Sequence, residues 1–169
     1  ILEAILFFFS FPPQDMTEKE FVNLKINWLI QNDREDLIEK FLKRNDQFES
    51  KSKAIQYIVD KNIAGGNIKK GCEKIGFIDA KIKDAYLEKF KIYCLVFNNK
   101  KPEAQLLLDL LREQKQSSKF YDDKINYLLG ISQKTSEKIN EKNLLNFYLS
   151  SVTIKNFNYQ PNNKTKKEI

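Results

Sequence analysis

The sequence contains no histidine among its 169 residues. Histidine is the most frequent general base, a member of the Ser-His and Cys-His nucleophile pairs, and a ligand in most zinc sites. Those catalytic and metal-binding arrangements are therefore excluded. We expect a chain that is not an enzyme, and we predict no catalytic, cofactor-binding or metal-ligating residue in it and no cofactor.

Glycine and proline are scarce, with five and four copies. β-Sandwiches and barrels need many more of these turn residues, whereas 41% hydrophobic and 31% charged residues are typical of a helix-rich protein. A mass of 20.0 kDa suits one domain with its own core better than two.

Arginine is nearly absent, because only three of the 29 basic residues are Arg. Arg is the better residue for stacking on bases and reading them. The net charge of +6 is also uneven: residues 155–169 carry +3, so the body of the chain is nearly balanced. We therefore do not expect nucleic acid as a partner.

The sequence lacks a long apolar run. The stretch ILEAILFFFSF at residues 1–11 is interrupted by Glu3 and has no basic residues before it. A bilayer-spanning helix needs about 20 apolar residues. We predict no transmembrane segment and interpret the stretch as the tail of an earlier helix that Pro12 and Pro13 stop.

The clearest feature is a helical hairpin predicted from Asp79 to Glu113. Asp79 is expected to cap its first helix, and Pro102 to open the second, where a missing N–H is tolerated. Each helix has an apolar face at helical spacing. The apolar face of the second helix is too wide for one partner helix to cover, so we expect a further helix to pack on its outer side. The first face comprises Tyr86, Phe90, Tyr93, Cys94 and Phe97, and the second Ala104, Leu107, Leu108 and Leu111, widened by Leu106 and Leu110.

Two hairpins are predicted before this one. Thr17 and Glu20 form a capping-box pattern, Ser50 or Ser52 is expected to cap the third helix, and Gly76 to end the fourth as a C′ glycine. Apolar positions mark the four helices: Phe21, Leu24, Trp28 and Leu29; Leu37, Ile38, Phe41 and Leu42; Ala54, Ile55, Ile58 and Val59; and Ile68, Cys72 and Ile75. Gly65 and Gly66 provide a turn, and no strand or phosphate-loop spacing accompanies them.

A last hairpin is predicted after residue 116. Ser117 or Ser118 opens its first helix and Gly130 stops it, and Ser136 is expected to cap a brief turn through Ile139. The two apolar faces are Phe120, Tyr121, Ile125, Leu128 and Leu129, and then Leu144, Leu145, Tyr148 and Leu149.

Two pairs of adjacent acids could suggest catalytic carboxylates. Glu35-Asp36 and Asp122-Asp123 both fall in the first turns of predicted helices. Because acids there are stabilised by the helix dipole, we interpret both pairs as solvated first turns.

Cys72 and Cys94 raise the question of a disulfide. In two continuous antiparallel helices they would be offset by about ten residues, or about 15 Å, whereas a disulfide requires Cα atoms within about 7 Å. We therefore favour two small buried apolar residues, unless the fourth helix ends early and the chain folds back.

The predicted hairpins begin near residues 17, 50, 79 and 118, which is close to the period of helical repeats of roughly 34 residues. We predict an all-α fold, an α-solenoid of about four antiparallel hairpins, with an irregular helical bundle as the alternative. The single predicted domain spans residues 1–169. Residues 1–16 hold the end of a preceding helix and a Pro-rich connector, 17–152 the hairpins, and 153–169 a connector and the start of a truncated helix.

The run GCEKIGFIDAKIKDAYLEKFKIYCLVFNNKKPEAQLLLDLLREQ, with FPPQDMTEKEF before it and NFNYQPNNKTKKEI after it, resembles a group of uncharacterised α-proteobacterial helical-repeat (TPR-like) proteins. The resemblance covers most of the chain but assigns no catalytic or binding residue. It implies a longer parent protein exported to the cell envelope, which favours the periplasm, with the cytoplasm as the alternative.

Three functions are therefore open. The leading hypothesis is a non-enzymatic scaffold that binds a protein or peptide partner, because repeats of this kind stack into extended binding surfaces. The second is the non-catalytic α-superhelical region of a larger envelope enzyme. The third, a weak nucleic-acid binder, is disfavoured by the scarcity of Arg.

Overall fold

The computed structural model describes residues 11–79, 81–163 and 165, and their regular structure is entirely helical. The all-α prediction is confirmed. The predictions for residues 1–10 and for a helix start at 166–169 lie outside the described residues. The α-helices are α1 (Glu18–Gln31), α2 (Glu35–Arg44), α3 (Lys51–Ala64), α4 (Ile68–Glu73), α5 (Ala85–Phe97), α6 (Lys101–Glu113), α7 (Lys119–Leu129) and α8 (Leu144–Thr153), with a 3₁₀ helix at Lys74–Phe77.

Helix α1 begins where the capping box predicts. The Thr17 hydroxyl accepts a hydrogen bond from Glu20 N, and the Glu20 carboxylate accepts one from Thr17 N at 2.8 Å. Two N–H groups that the helix cannot satisfy internally are thereby paired. The apolar face is turned slightly from the predicted one, because Ile26 is fully buried and Leu24 is 43% exposed.

The same tight turn follows α1, α3 and α5. In each, a left-handed residue comes two positions after the last helical residue, and the next N–H reaches back five residues, as in a Schellman motif. The next helix begins two residues after the left-handed one. The left-handed residues are Asp33, Gly66 and Asn99, and the bonds are Arg34 N to Leu29 O (2.9 Å), Asn67 N to Asn62 O (2.8 Å) and Lys100 N to Leu95 O (2.8 Å).

One core position recurs with these turns. Ile26, Val59, Ile92 and Ile125 are successively 33 residues apart, and each is 0% exposed. They lie on α1, α3, α5 and α7, which precede the left-handed residues Asp33, Gly66, Asn99 and Gly130. A buried apolar position and a left-handed turn residue thus occur together on these four helices, while the repeat arrangement itself stays a prediction.

The chain divides into two compact units, one ending at Ile58 and the other beginning at Val59. In the first, α1 packs against α2. In the second, α5 is central and contacts α4, α6 and α7, while α7 also contacts α6 and α8. None of the described helices has both the length and the apolar character needed to cross a membrane.

The start of α5 differs from the prediction. The Asp84 carboxylate, not that of Asp79, caps the helix by accepting from Tyr86 N and Leu87 N. Asp79 instead accepts a bond from Lys81 N at 2.8 Å and shapes the preceding turn.

Three other local predictions are wrong. Gly76 lies inside the 3₁₀ helix and has no positive φ, so it is not a C′ glycine. Ser50 is the residue before α3, but its hydroxyl makes no hydrogen bond and Ser52 lies within the helix. Phe97 is predicted on the core face, yet it is 48% exposed because α5 ends there.

The outer leucines of α6 are also not covered as expected. Leu106 and Leu110 are 62% and 41% exposed, whereas Ala104, Leu108 and Leu111 are buried. No further helix among the described residues therefore encloses that side of α6.

The favoured interpretation of the cysteines is wrong, because Cys72 and Cys94 form a disulfide with Cα atoms 5.3 Å apart. The offset of about 15 Å assumed two continuous helices. Instead α4 has only six residues, and a 3₁₀ turn and non-helical residues fold the chain back before α5 begins at Ala85. That reversal brings Cys72 level with Cys94.

Candidate functional site

The turn after α7 departs from the recurring pattern. Gly130 is left-handed at φ 81°, and Ile131 N bonds to Asn126 O at 2.9 Å, as in the other turns. The next helix nevertheless begins only at Leu144, so residues 131–143 form an irregular segment, here called the 131–143 loop. Long irregular loops on rigid scaffolds are frequent carriers of function.

The loop does not contain the brief helical turn predicted from Ser136 to Ile139. The Ser136 hydroxyl instead accepts a hydrogen bond from Lys138 N at 3.2 Å. A serine hydroxyl that bonds its backbone two residues on stabilises a turn without starting a helix.

Asp123 of α7 fastens the middle of the loop. Its carboxylate accepts hydrogen bonds from the Thr135 hydroxyl and from Ser136 N, both at 2.7 Å. Burial acts to raise the pKa of Asp123, but these bonds, with the charges of Lys124 and Lys119, lower it below its ordinary value. The carboxylate therefore stays charged and committed to the loop.

The Asp122-Asp123 pair is thus more than a solvated first turn. Asp122 accepts a bond from the Ser117 hydroxyl at 2.5 Å and pairs with the Arg112 guanidinium, Nε to Oδ1 at 3.3 Å. It ties the start of α7 to the end of α6, while Asp123 ties α7 to the loop.

Lys124 is fully buried and lies beneath the loop. Its ammonium donates a hydrogen bond to the Ser136 carbonyl and lies 5.5 Å from the centroid of the Phe120 ring. Burial lowers the pKa of Lys124, although the nearby carboxylates of Asp123 and Glu137 oppose that shift. A buried charge is unfavourable unless it is paired, so this cation constrains where the loop backbone runs.

The far end of the loop is fastened to α8. Asn140 N donates to the Ser150 hydroxyl at 3.1 Å, and that hydroxyl donates to Asn146 O at 2.9 Å. The Asn140 side-chain oxygen accepts from Lys142 N at 2.9 Å, and Asn143 caps α8 by accepting from Asn146 N. Both ends of the loop are therefore positioned by helices.

Tyr121 holds α7 against α5 below this region. It is fully buried, and its hydroxyl donates to Lys89 O at 2.6 Å. Burial, with the charges of Asp122 and Glu88, raises the pKa of Tyr121 well above its ordinary value, so it remains a neutral donor. The helix that carries the loop anchors is thus fixed in rotation.

A groove of about 540 Å³ lies between the first turns of α7 and the loop. We call it the α7–loop groove. Its volume is within the usual range of ligand pockets, about 300–1,000 Å³. Its lining residues are Lys119, Phe120, Asp123, Ser136, Lys138, Ile139 and Asn140.

Some polar groups of the groove are already hydrogen-bonded within the protein, and others remain open to a ligand. The Asp123 carboxylate and the Asn140 side chain are held by the loop. Lys119 and Lys138 are exposed, and neither ammonium forms an ion pair within the described part of the chain. Phe120 and Ile139 are half-buried and supply apolar surface. The groove therefore offers apolar surface and positive charge.

Within residues 11–79, 81–163 and 165, no three His, Cys, Asp or Glu side chains gather closely enough to hold a metal ion. The groove contains a carboxylate and two ammonium groups but no nucleophile paired with a base. The prediction that the chain carries no catalytic residue stays a prediction.

Comparison with known proteins gives no match, since no family model, no curated protein and no solved structure is significantly similar to the chain. The resemblance to α-proteobacterial helical-repeat proteins therefore stays a prediction. The α7–loop groove is therefore identified as the candidate site from its geometry alone.

Sequence reasoning did not single out the groove, although one signal for it was present. Phe120, Tyr121 and Ile125 were assigned to the apolar face of α7, and Lys124 lies three residues after Tyr121 on that same face. A lysine in the middle of a buried stripe indicates a nearby backbone or side-chain acceptor. The partner, Ser136 O, could not be identified from spacing.

Proposed function

We propose that this chain is a non-enzymatic scaffold, a divergent TPR-like α-solenoid of about four hairpins, which binds an extended segment of a partner protein in the α7–loop groove. The solenoid is supported by the turns at Asp33, Gly66 and Asn99 and by the buried positions 33 residues apart. Stacked repeats of this kind commonly display peptide-binding surfaces.

One observation carries the choice of the groove. Among the described turns that join the two helices of one hairpin, only the one after Gly130 abandons the two-residue spacing, and the resulting loop is fastened by Asp123, Lys124 and Ser150 rather than left loose. A fastened loop presents Phe120 and Ile139 in a fixed geometry, which lowers the entropy lost on binding.

The test is a selection of random peptides displayed on phage against the purified chain, followed by affinity measurement on variants. Phe120→Ala with Ile139→Ala should weaken the selected peptides about tenfold, because buried apolar anchors of this size contribute at least about 1.4 kcal/mol. Leu106→Ala, which truncates an exposed leucine on α6, is the control and should not change affinity.

Two results would refute the proposal. One is the absence of any enriched peptide. The other is enrichment of peptides that bind the Phe120→Ala, Ile139→Ala variant as tightly as the parent, since the contact would then lie elsewhere.

The second candidate is the non-catalytic helical region of a larger envelope enzyme, and the disulfide is the observation that favours it. Disulfides persist in oxidising compartments such as the periplasm and are rare in the cytosol. The Cys72–Cys94 bond, buried at 5% and 0% exposure, supports the periplasm or cell envelope over the cytoplasm. A complete reading frame that encodes a catalytic domain would support this candidate, and one without such a domain would remove it.

A further inference from the structure

The charge that the α7–loop groove offers to a ligand is positive, although an aspartate lines it. Asp123 is the one acidic residue that lines it, and hydrogen bonds from Thr135 and Ser136 occupy its carboxylate. Lys119 and Lys138 also line it, and both project from exposed positions. An incoming ligand therefore meets two cations and an anion that is already engaged.

The cations lie beside apolar surface. Lys119 is adjacent in sequence to Phe120 at the start of α7, and Lys138 is adjacent to Ile139 in the loop. Each half of the groove thus contributes one lysine and one apolar residue to the lining. A complementary ligand carries carboxylates next to apolar side chains.

Resting on the proposed function, we propose that the partner segment is an acidic peptide whose Asp or Glu residues flank a Leu or Phe. The apolar side chain packs on Phe120 and Ile139, and the flanking carboxylates pair with Lys119 and Lys138. Electrostatic complementarity of this kind determines specificity and association rate.

Single-stranded nucleic acid fits the groove less well. Phe120 is the one aromatic residue in its lining, and two lysines give few phosphate contacts. Nonspecific strand binding uses several stacking rings along a longer cationic track. A peptide is the occupant that this groove matches.

The experiment uses two matched peptide libraries with the same randomised apolar centre. One has Asp or Glu on both sides of the centre, and the other has Asn or Gln there. Binding to the full chain is measured by fluorescence anisotropy at low and at moderate salt, together with a fluorescent 15-nucleotide uridine strand. The variants are Lys119→Gln with Lys138→Gln, and Lys134→Gln, which neutralises an exposed lysine of the same loop that does not line the groove.

We expect the acidic library to bind at least about fivefold more tightly than the amide library, with affinity falling as salt rises. The double lysine variant should remove that preference, and Lys134→Gln should keep it. Equal binding of the two libraries would overturn the acidic preference and leave peptide binding intact. Tighter binding of the uridine strand, lost in the double variant, would overturn the peptide assignment. Failure of both libraries to bind would overturn this proposal, and failure of the phage selection as well would refute the proposed function.

Discussion

Cys72 of α4 and Cys94 of α5 are covalently joined, with their Cα atoms 5.3 Å apart and a sequence separation of 22. Helix α4 has only six residues, against 13 in α6, and its buried residues are Ile68, Gly71 and Cys72. The disulfide therefore joins this short helix covalently to α5.

Reduction of this disulfide should destabilise the second unit. Cross-linking residues at this separation removes loop entropy from the unfolded chain, which amounts to about 3 kcal/mol. Urea unfolding of the parent with and without a reducing phosphine measures the loss. Cys72→Ser with Cys94→Ser is the control, and its midpoint should match the reduced parent and not respond to the phosphine. Equal midpoints for the oxidised and reduced parent would show that the bond contributes nothing.

Gly71→Ala should destabilise the junction of α3, α4 and α5. A Cβ atom at Gly71 would lie 3.3 Å from Asn62 Cβ and 3.3 Å from Phe90 Cζ, both in buried side chains. Overpacking of this kind costs about 1–3 kcal/mol, and we expect it to exceed the roughly 0.5–1 kcal/mol that Ala gains over Gly inside a helix. Gly76→Ala is the matched control, because a Cβ there meets nothing within 4 Å and its φ is not positive. A melting temperature for Gly76→Ala below that of Gly71→Ala would contradict the close packing of α4 on α3 and α5.

The sequence predicted features that depend on neighbouring residues and missed those that depend on distant ones. The Thr17–Glu20 cap and the Gly130 stop were correct, because both are local hydrogen-bonding patterns. To predict the Cys72–Cys94 bond, one would have to know that α4 stops after six residues, and no capping signal marks that end. The burial of Lys124 required its acceptor in the 131–143 loop, twelve residues away.

Leu108→Asp should unfold the second unit. Leu108 is 0% exposed at the centre of α6. Burying an unpaired carboxylate there would cost a large desolvation free energy. Leu106→Asp is the control, because Leu106 lies on the same helix and is 62% exposed. Circular dichroism should show cooperative melting for Leu106→Asp and its loss or a large shift for Leu108→Asp. A parental melt for Leu108→Asp would mean that the α5–α6 hairpin is not central to the fold.

Alkaline pH should destabilise the fold through its buried tyrosines. Burial, with the charge of Asp60 and a hydrogen bond to it, raises the pKa of Tyr86, and burial also raises the pKa of Tyr121. A tyrosine whose folded pKa exceeds its unfolded value of about 10 contributes stability below that pH and loses it as pH rises. Urea midpoints from pH 8 to 11 should therefore fall above about pH 10. Tyr121→Phe should reduce this fall, although it lowers stability at pH 8 by about 1–2 kcal/mol because Lys89 O loses its donor. An unchanged alkaline profile in Tyr121→Phe would contradict the burial of that hydroxyl.

Lys124→Met should loosen the 131–143 loop and change the pH dependence of stability. The variant leaves the Ser136 carbonyl without its buried donor, so hydrogen exchange within the loop should accelerate while exchange in α5 stays slow.

Because burial lowers the pKa of Lys124, the unfolded chain holds that proton more tightly, and the parent gains stability as pH rises from the lowered value towards about 10.5. The variant lacks this gain, so the stability difference between parent and variant should widen in favour of the parent over that interval. Lys134→Met, which removes an exposed ammonium of the same loop, is the control and should keep the parent's loop exchange. Parental loop exchange in Lys124→Met, with a constant stability difference across the interval, would show that Lys124 does not fasten the loop.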